Sequence, residues 1–77
     1  METQLKLIFA QVLSIEPENI DEGTSQESLV TWDSLGHLNL VTAIEDTFNI
    51  RLTISEIMEM TDFKKVYMIV SRYKGES

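Results

Sequence analysis

No cysteine occurs in this chain of seventy-seven residues. Disulfides, thiolate zinc sites and cysteine nucleophiles are therefore excluded, and any thiol chemistry must come from outside the sequence. A single histidine, His37, accompanies that absence and leaves poor prospects for a transition-metal site. No uninterrupted apolar run approaches the ~20 residues that a membrane-spanning helix needs. The N-terminal Met1-Glu2-Thr3-Gln4 lacks the basic flank and apolar core of a secretory signal, so a cytoplasmic location is expected. Bases are also scarce, with six Lys and Arg against thirteen Asp and Glu. Between Glu16 and Asp62 eleven acids face Arg51 alone, whereas Lys64, Lys65, Arg72 and Lys74 gather near the C-terminus. Binding to a nucleic-acid backbone requires a clustered positive footprint, and the acidic middle argues against it. The charge suits either docking onto basic protein surfaces or simple solubility.

What is present is helical patterning in one small domain, residues 1–77. A chain this short buries only roughly 60% of the surface its unfolded form exposes, so no deep cleft walled by two domains is expected. Leu5, Ile8, Phe9 and Val12 follow the i, i+3, i+4, i+7 spacing of a buried helical stripe, which predicts a first helix from about Thr3, its cap, to Leu13. Pro17 disfavours helical geometry in the residue before it and, with Ser14, closes that helix. Glu16 to Trp32 lacks periodicity. Its Asp21-Glu22-Gly23-Thr24-Ser25 segment has turn composition, and Ile15, Ile20, Leu29, Val30 and Trp32 are spaced along it as apolar anchors. So long a loop in so small a domain is expected to be pinned by those anchors, with a short helical turn near Gln26–Leu29.

A second helix is predicted from Ser34 to about Phe48, with Leu40, Val41, Ile44 and Phe48 as its core stripe. At about 100° per residue, Ser34, Leu35, Leu38, Thr42, Glu45 and Asp46 fall on another side. Two leucines off the stripe, beside a serine and followed by acids, suggest a docking surface. Asn49 ends this helix and Ile50-Arg51-Leu52 reads as an extended linker. Thr53 or Ser55 caps a brief third helix through Glu56, Ile57 and Met60. The last helix starts at Thr61 or Asp62 and runs to about Tyr73, with Phe63, Val66, Tyr67, Ile69, Val70 and Tyr73 on its apolar side and Lys64, Lys65 and Arg72 outward. Gly75-Glu76-Ser77 reads as a frayed tail. Met58, Met60 and Met68 read as core fillers. The expected fold is all-α, a four-helix bundle of three longer helices and one short, with a long loop between helices 1 and 2.

The chemistry centres on Asp33-Ser34-Leu35. The Asp33 carboxylate can accept from unpaired N–H groups of the first helical turn. Ser34 then lies at the positive end of the helix dipole, where orphan N–H groups and the dipole favour a phosphate. Catalysis by Ser34 with His37 as its base is disfavoured, because no G-x-S-x-G elbow surrounds the serine and no acid is placed to orient the imidazole. On the Leu40/Ile44 side of its helix, His37 reads as a core-edge histidine hydrogen-bonded locally. Trp32 reads as an anchor for the loop more readily than as a binding aromatic. The Asp21–Ser34 segment lacks the ligand spacing of a calcium-binding EF-hand, and no metal site is expected.

The run from Asp33-Ser34-Leu35 through Leu38, Leu40-Val41, Ala43-Ile44-Glu45 and Phe48 resembles the signature segment of acyl carrier proteins in the phosphopantetheine-binding superfamily. Chain length, acidity and helix order extend the resemblance from Leu5 to Tyr73. It implies a carrier, without enzymatic activity, that holds acyl or aminoacyl intermediates as thioesters and delivers them to partner enzymes. It implies 4′-phosphopantetheine moved from coenzyme A onto Ser34 by a phosphopantetheinyl transferase, with Asp33 helping to place the transferase's metal ion. The cofactor would then supply the thiol that the chain lacks. By match, Leu35, Leu38, Thr42, Glu45 and Asp46 would dock on acyl-loading, synthase and transferase enzymes, while Ile54, Ile57 and Met60 would line a groove for a lipid chain. No nucleic acid or membrane insertion is implied, and a monomer is expected. Thr31-Trp32 stands where fatty-acid carriers commonly show Gly-Ala, and Gly36, His37, Asn39 and Thr47 interrupt the charge of the second helix. These departures make a specialised pathway, such as a polyketide, aminoacyl or modified-sugar route, at least as well suited as fatty-acid synthesis. The cargo is left open between fatty acyl, polyketide, aminoacyl and other groups. The other reading, from a different class, is an unmodified acidic adaptor module.

Overall fold

The computed structural model describes residues 1–75. Four α-helices follow one another, α1 (Glu2–Leu13), α2 (Ser34–Phe48), α3 (Ile54–Glu59) and α4 (Phe63–Lys74), with no strand among the described residues beyond one isolated bridge. The all-α bundle of three longer helices and one short is therefore present. The third-helix cap is Thr53, whose side chain forms a reciprocal capping box with Glu56. The last helix is capped by Asp62, which accepts from the Lys65 N–H at 2.8 Å.

The core is one cluster drawn from all parts of the chain. Leu5, Ile8, Phe9 and Leu13 of α1 meet Leu40, Val41, Ile44 and Phe48 of α2 and Phe63, Val66, Ile69 and Val70 of α4. Phe9 is its hub, edge-to-face with Trp32 at 5.2 Å and with Phe63 at 5.0 Å between ring centroids. Such pairs add ~0.5–1.5 kcal/mol each beyond the burial of their area.

The long loop is held by more than its apolar anchors. Ile20 and Trp32 are buried, and Ile15 and Leu29 are half-buried against the core. Between them the backbone pairs with the start of α4: Gln26 N–H donates to the Thr61 carbonyl at 3.1 Å, and Phe63 N–H to the Thr24 carbonyl at 2.8 Å. These two bonds make the Ser25–Asp62 bridge and tie the loop's middle to the opposite end of the sequence. The expected helical turn is present, with Leu29 N–H on the Ser25 carbonyl at 3.2 Å and Ser25 and Ser28 bonded to each other.

Several expectations are corrected. Met1, with no side-chain bond, caps α1 in place of Thr3, because Leu5 N–H already reaches the Met1 carbonyl at 3.0 Å. Leu13 is buried more fully than Val12, since the start of α2 covers its side of α1. A 3₁₀ turn at Pro17–Asn19 interrupts the loop, its first position suited to proline. Val30 is no anchor, being 95% exposed. Trp32 N–H bonds to the Leu29 carbonyl, and that turn puts Val30 at an outer corner. Met60 is fully buried, but Met58 and Met68 lie on the solvent faces of α3 and α4. Tyr73 is exposed, its hydroxyl donating to Glu56 instead of packing. Gly75 ends α4 in the left-handed region at φ 73°, a conformation glycine adopts without a Cβ penalty, so it is a cap. Glu76 and Ser77 of the expected tail lie outside the described residues.

Candidate functional site

Asp33 is the N-cap of α2, with extended backbone and with Oδ1 accepting the Gly36 N–H at 2.8 Å. Its carbonyl takes the His37 N–H at 2.8 Å. The N–H groups of Ser34 and Leu35 are thereby left as the orphan donors of the first turn. Ser34 is the first helical residue and is exposed. Its hydroxyl stands at the positive end of a fifteen-residue helix, in the place where negative charge is stabilised. An exposed hydroxyl with two uncommitted backbone donors beside it fits a covalent phosphodiester.

Local packing fixes that placement. Gly36 is buried, and a Cβ there would stand 2.3 Å from the Thr31 carbonyl oxygen and 3.2 Å from a Leu13 methyl. The strand of loop entering α2 thus crosses directly over the first helical turn, a closeness only glycine allows. In the sequence Gly36 reads only as an interruption of charge. Its signal, a glycine two residues inside a helix start, lay in the cost a helix interior normally places on glycine.

His37 is bound on both ring nitrogens. Nδ1 accepts the Trp32 indole N–H at 2.9 Å, and Nε2 lies 2.8 Å from the Ile57 carbonyl oxygen of α3. The indole can only donate and the carbonyl only accept, so Nδ1 serves as the acceptor and Nε2 as the donor. Neither nitrogen is left to take a proton from Ser34, and this conformation holds no serine–histidine catalytic pair. His37 is core-edge as expected, but its partner on α3 lies twenty residues away.

The remaining predicted residues spread over two faces. Leu35 and Leu38 are 67% and 60% exposed on α2, flanking the serine, and Asp46 is exposed further along. Thr42 Oγ1 donates to the Leu38 carbonyl at 3.0 Å. Glu45 is half-buried, and Oε2 accepts the Leu52 N–H at 2.9 Å, so one carboxylate oxygen holds the α2–α3 linker. Ile54 is 77% exposed, Ile57 half-buried and Met60 buried at the end of α3. Two surface cavities lie elsewhere. One of about 270 Å³ is lined by Glu2, Glu22, Phe63, Lys64 and Tyr67, and one of about 110 Å³ by Glu59, Lys65, Met68, Ile69 and Arg72. Among the described residues no group of His, Asp and Glu is arranged to hold a metal ion.

Comparison with known proteins shows the family of the chain. Residues 3–67 match the family model described as the phosphopantetheine attachment site. The chain belongs to that family. As a carrier protein it bears 4′-phosphopantetheine as a covalent cofactor, which brings the thiol that a cysteine-free sequence cannot. The carrier is also 29% identical over 73 residues to the acyl carrier protein of Buchnera aphidicola subsp. Baizongia pistaciae (strain Bp), a match that covers 95% of this chain and 94% of that relative. No helix among the described residues is long and apolar enough to cross a membrane.

Proposed function

We propose that Ser34 is the attachment point of the 4′-phosphopantetheine and that this carrier delivers acyl or aminoacyl cargo to partner enzymes without catalysis of its own. The observation that carries the proposal is the exposed Ser34 hydroxyl opening α2 beside its Asp33 cap, within the stretch matched by the attachment-site family. When bound, the cofactor supplies a thiol that holds cargo as a thioester on a flexible tether. Such a tether raises the effective concentration of cargo at each docked enzyme.

The chain's own residues then serve as platform and address. Asp33 commits Oδ1 to the helix cap, which leaves its second oxygen for the metal ion of a phosphopantetheinyl transferase. Leu35 and Leu38 offer apolar contact beside the tether, and Thr42, Asp46 and the second oxygen of Glu45 extend that face toward a basic partner. Cargo with an apolar chain would find its shelter along α3, at Ile54, Ile57 and Met60. The cargo class spans fatty acyl, polyketide and aminoacyl groups, handled in the cytoplasm by loading, synthase and transferase enzymes.

Intact mass after incubation with coenzyme A and a broad-specificity phosphopantetheinyl transferase tests the assignment. The native protein should gain one phosphopantetheine arm, and Ser34→Ala should gain none. An unmodified native protein, or an arm still added to Ser34→Ala, would overturn it. An adaptor using only the Leu35/Leu38 face would instead retain partner binding in Ser34→Ala and never acquire the arm.

A further inference from the structure

We infer that His37 is a positioning residue that clasps α3 to the segment delivering Ser34, so that its two hydrogen bonds set how often α3 leaves the body of the protein. The inference rests on three observations. The first is the weakness of the other attachments of α3. This helix has six residues, and none of its side chains is fully buried. Its capping box is internal to the helix and fixes it to nothing else. The ties to other elements are the half-buried Ile57, Met60 just beyond the last turn, and the Tyr73 hydroxyl on Glu56 at the surface. Elements with few buried apolar contacts belong to the low-stability end of a fold and open locally.

The second observation is where the His37 bond lands. Ile57 is third from the end of α3, and its carbonyl, one of the last four of the helix, takes from its own segment only the Met60 N–H at 3.4 Å. The His37 Nε2–H satisfies it from a different helix, at 2.8 Å. Third, the opposite ring nitrogen is held by the Trp32 indole, with the two rings near-parallel at 22°. Trp32 is itself buried against Phe9, two residues before Ser34. One imidazole therefore spans from the buried anchor of the Ser34 segment to the exposed end of a loosely held helix. Because α3 carries Ile54 and Ile57 and leads into Met60, this clasp governs entry of an apolar chain beneath that helix. That last step alone rests on the carrier reading above.

The two bonds can be separated by chemistry. An asparagine at 37 places its amide oxygen near the position of Nδ1 and can still accept from Trp32. A glutamine places its amide nitrogen near Nε2 and can still donate to Ile57. His37→Asn, His37→Gln and His37→Ala in the full chain would be followed by the ¹⁵N resonance of the Trp32 indole and by hydrogen exchange of the Ile57, Met58 and Glu59 amides. Loss of one such hydrogen bond corresponds to an increase in opening of about fivefold. His37→Asn should keep the indole resonance in place while α3 exchange rises by about that factor. His37→Gln should shift the indole and leave α3 protected, and His37→Ala should do both. The inference is overturned if α3 exchange is the same in His37→Asn and His37→Gln, or if exchange in His37→Ala rises equally across α1 and α4, as general destabilisation would produce. None of these readouts requires the phosphopantetheine arm. A carrier assignment that fails by intact mass therefore leaves the clasp to stand or fall on exchange alone.

Discussion

Replacing Gly36 by alanine sets two effects of opposite sign against each other. In an exposed helix interior, glycine to alanine stabilises by roughly 1 kcal/mol, because alanine loses less backbone entropy on folding. At Gly36 the added Cβ would stand 2.3 Å from the Thr31 carbonyl oxygen, a backbone atom that cannot rotate away. Relief requires the Thr31–Trp32 backbone to retreat by about an ångström, and forced shifts of this kind in a packed site cost typically 1–3 kcal/mol. The retreat also works against the Trp32 indole bond to His37 and the edge-to-face contact of Trp32 with Phe9. The net expectation is destabilisation of about 2 kcal/mol. In a urea titration followed by circular dichroism, with a slope of roughly 1 kcal/mol/M for a domain this small, the midpoint should fall by about 2 M with the slope unchanged. The corresponding fall in Tm is roughly 8–16 °C. A midpoint that rises by about 1 M would refute the reasoning, since propensity would then have won and the Thr31 approach would carry no constraint. On the proposed attachment at Ser34, addition of the arm should slow in the same variant under native conditions, because the displaced backbone leads directly into α2.

Asp33→Ala should destabilise by ~1 kcal/mol through loss of the cap on the Gly36 N–H, while Asp33→Asn, which keeps an acceptor oxygen, should lose less in the same titration. Val30→Ser should leave the midpoint within about 0.5 kcal/mol of the parent, since Val30 is 95% exposed; a larger loss would show that the loop's outer corner is packed in solution. The Glu56 carboxyl is held below its ordinary value of 4.5, first by the Thr53 backbone N–H and then by the Tyr73 hydroxyl. A depressed carboxyl stabilises the fold above its unfolded value and loses that contribution as pH falls through the folded value, so Glu56→Gln should flatten the stability profile below about pH 4.5. Tyr73 moves the other way, its phenol raised above 10.0 by the bond to Glu56, so its contribution is complete below that pH and lost as pH rises further. A Tyr73→Phe protein whose alkaline stability profile matches the parent's would show that the Glu56 bond is not formed in solution.

How legible this protein was depended on the range of the interactions involved. Spacing of apolar residues located α2 from Ser34 to Phe48 and its core stripe, because the 3.6-residue period leaves a direct imprint. Caps drawn from the first turn were readable at Asp33 and narrowed to two candidates for each of α3 and α4, where Thr53 and Asp62 prove to be the residues with donor and acceptor three apart. Contacts between distant segments left no such imprint. Nothing local marks Glu45 as the acceptor for the Leu52 N–H, or Lys74 as the donor to the Phe48 carbonyl at 3.5 Å. Met58 and Met68 failed for a related reason. Methionine is equally at home in a core or on a face, and only the tertiary partner decides which.

The loop before Ser34 shows why the site needed both kinds of information. Its sequence signals a turn and several anchors, yet anchors alone would leave the direction of approach to α2 undetermined. That direction is set at three places, each linking the loop to a different helix. Thr24 and Gln26 pair with the backbone at the start of α4, Trp32 packs on Phe9 of α1, and Thr31 crosses Gly36 of α2. With its middle and end fixed in this way, the chain enters α2 along a single path, and Asp33 closes the first turn over the last free choice. A hydroxyl presented on so constrained a segment occupies nearly one position relative to Leu35 and Leu38. A partner meeting this segment would find its ordering already carried out in folding. On that argument the loop is what fixes where the start of α2 stands relative to Leu35 and Leu38.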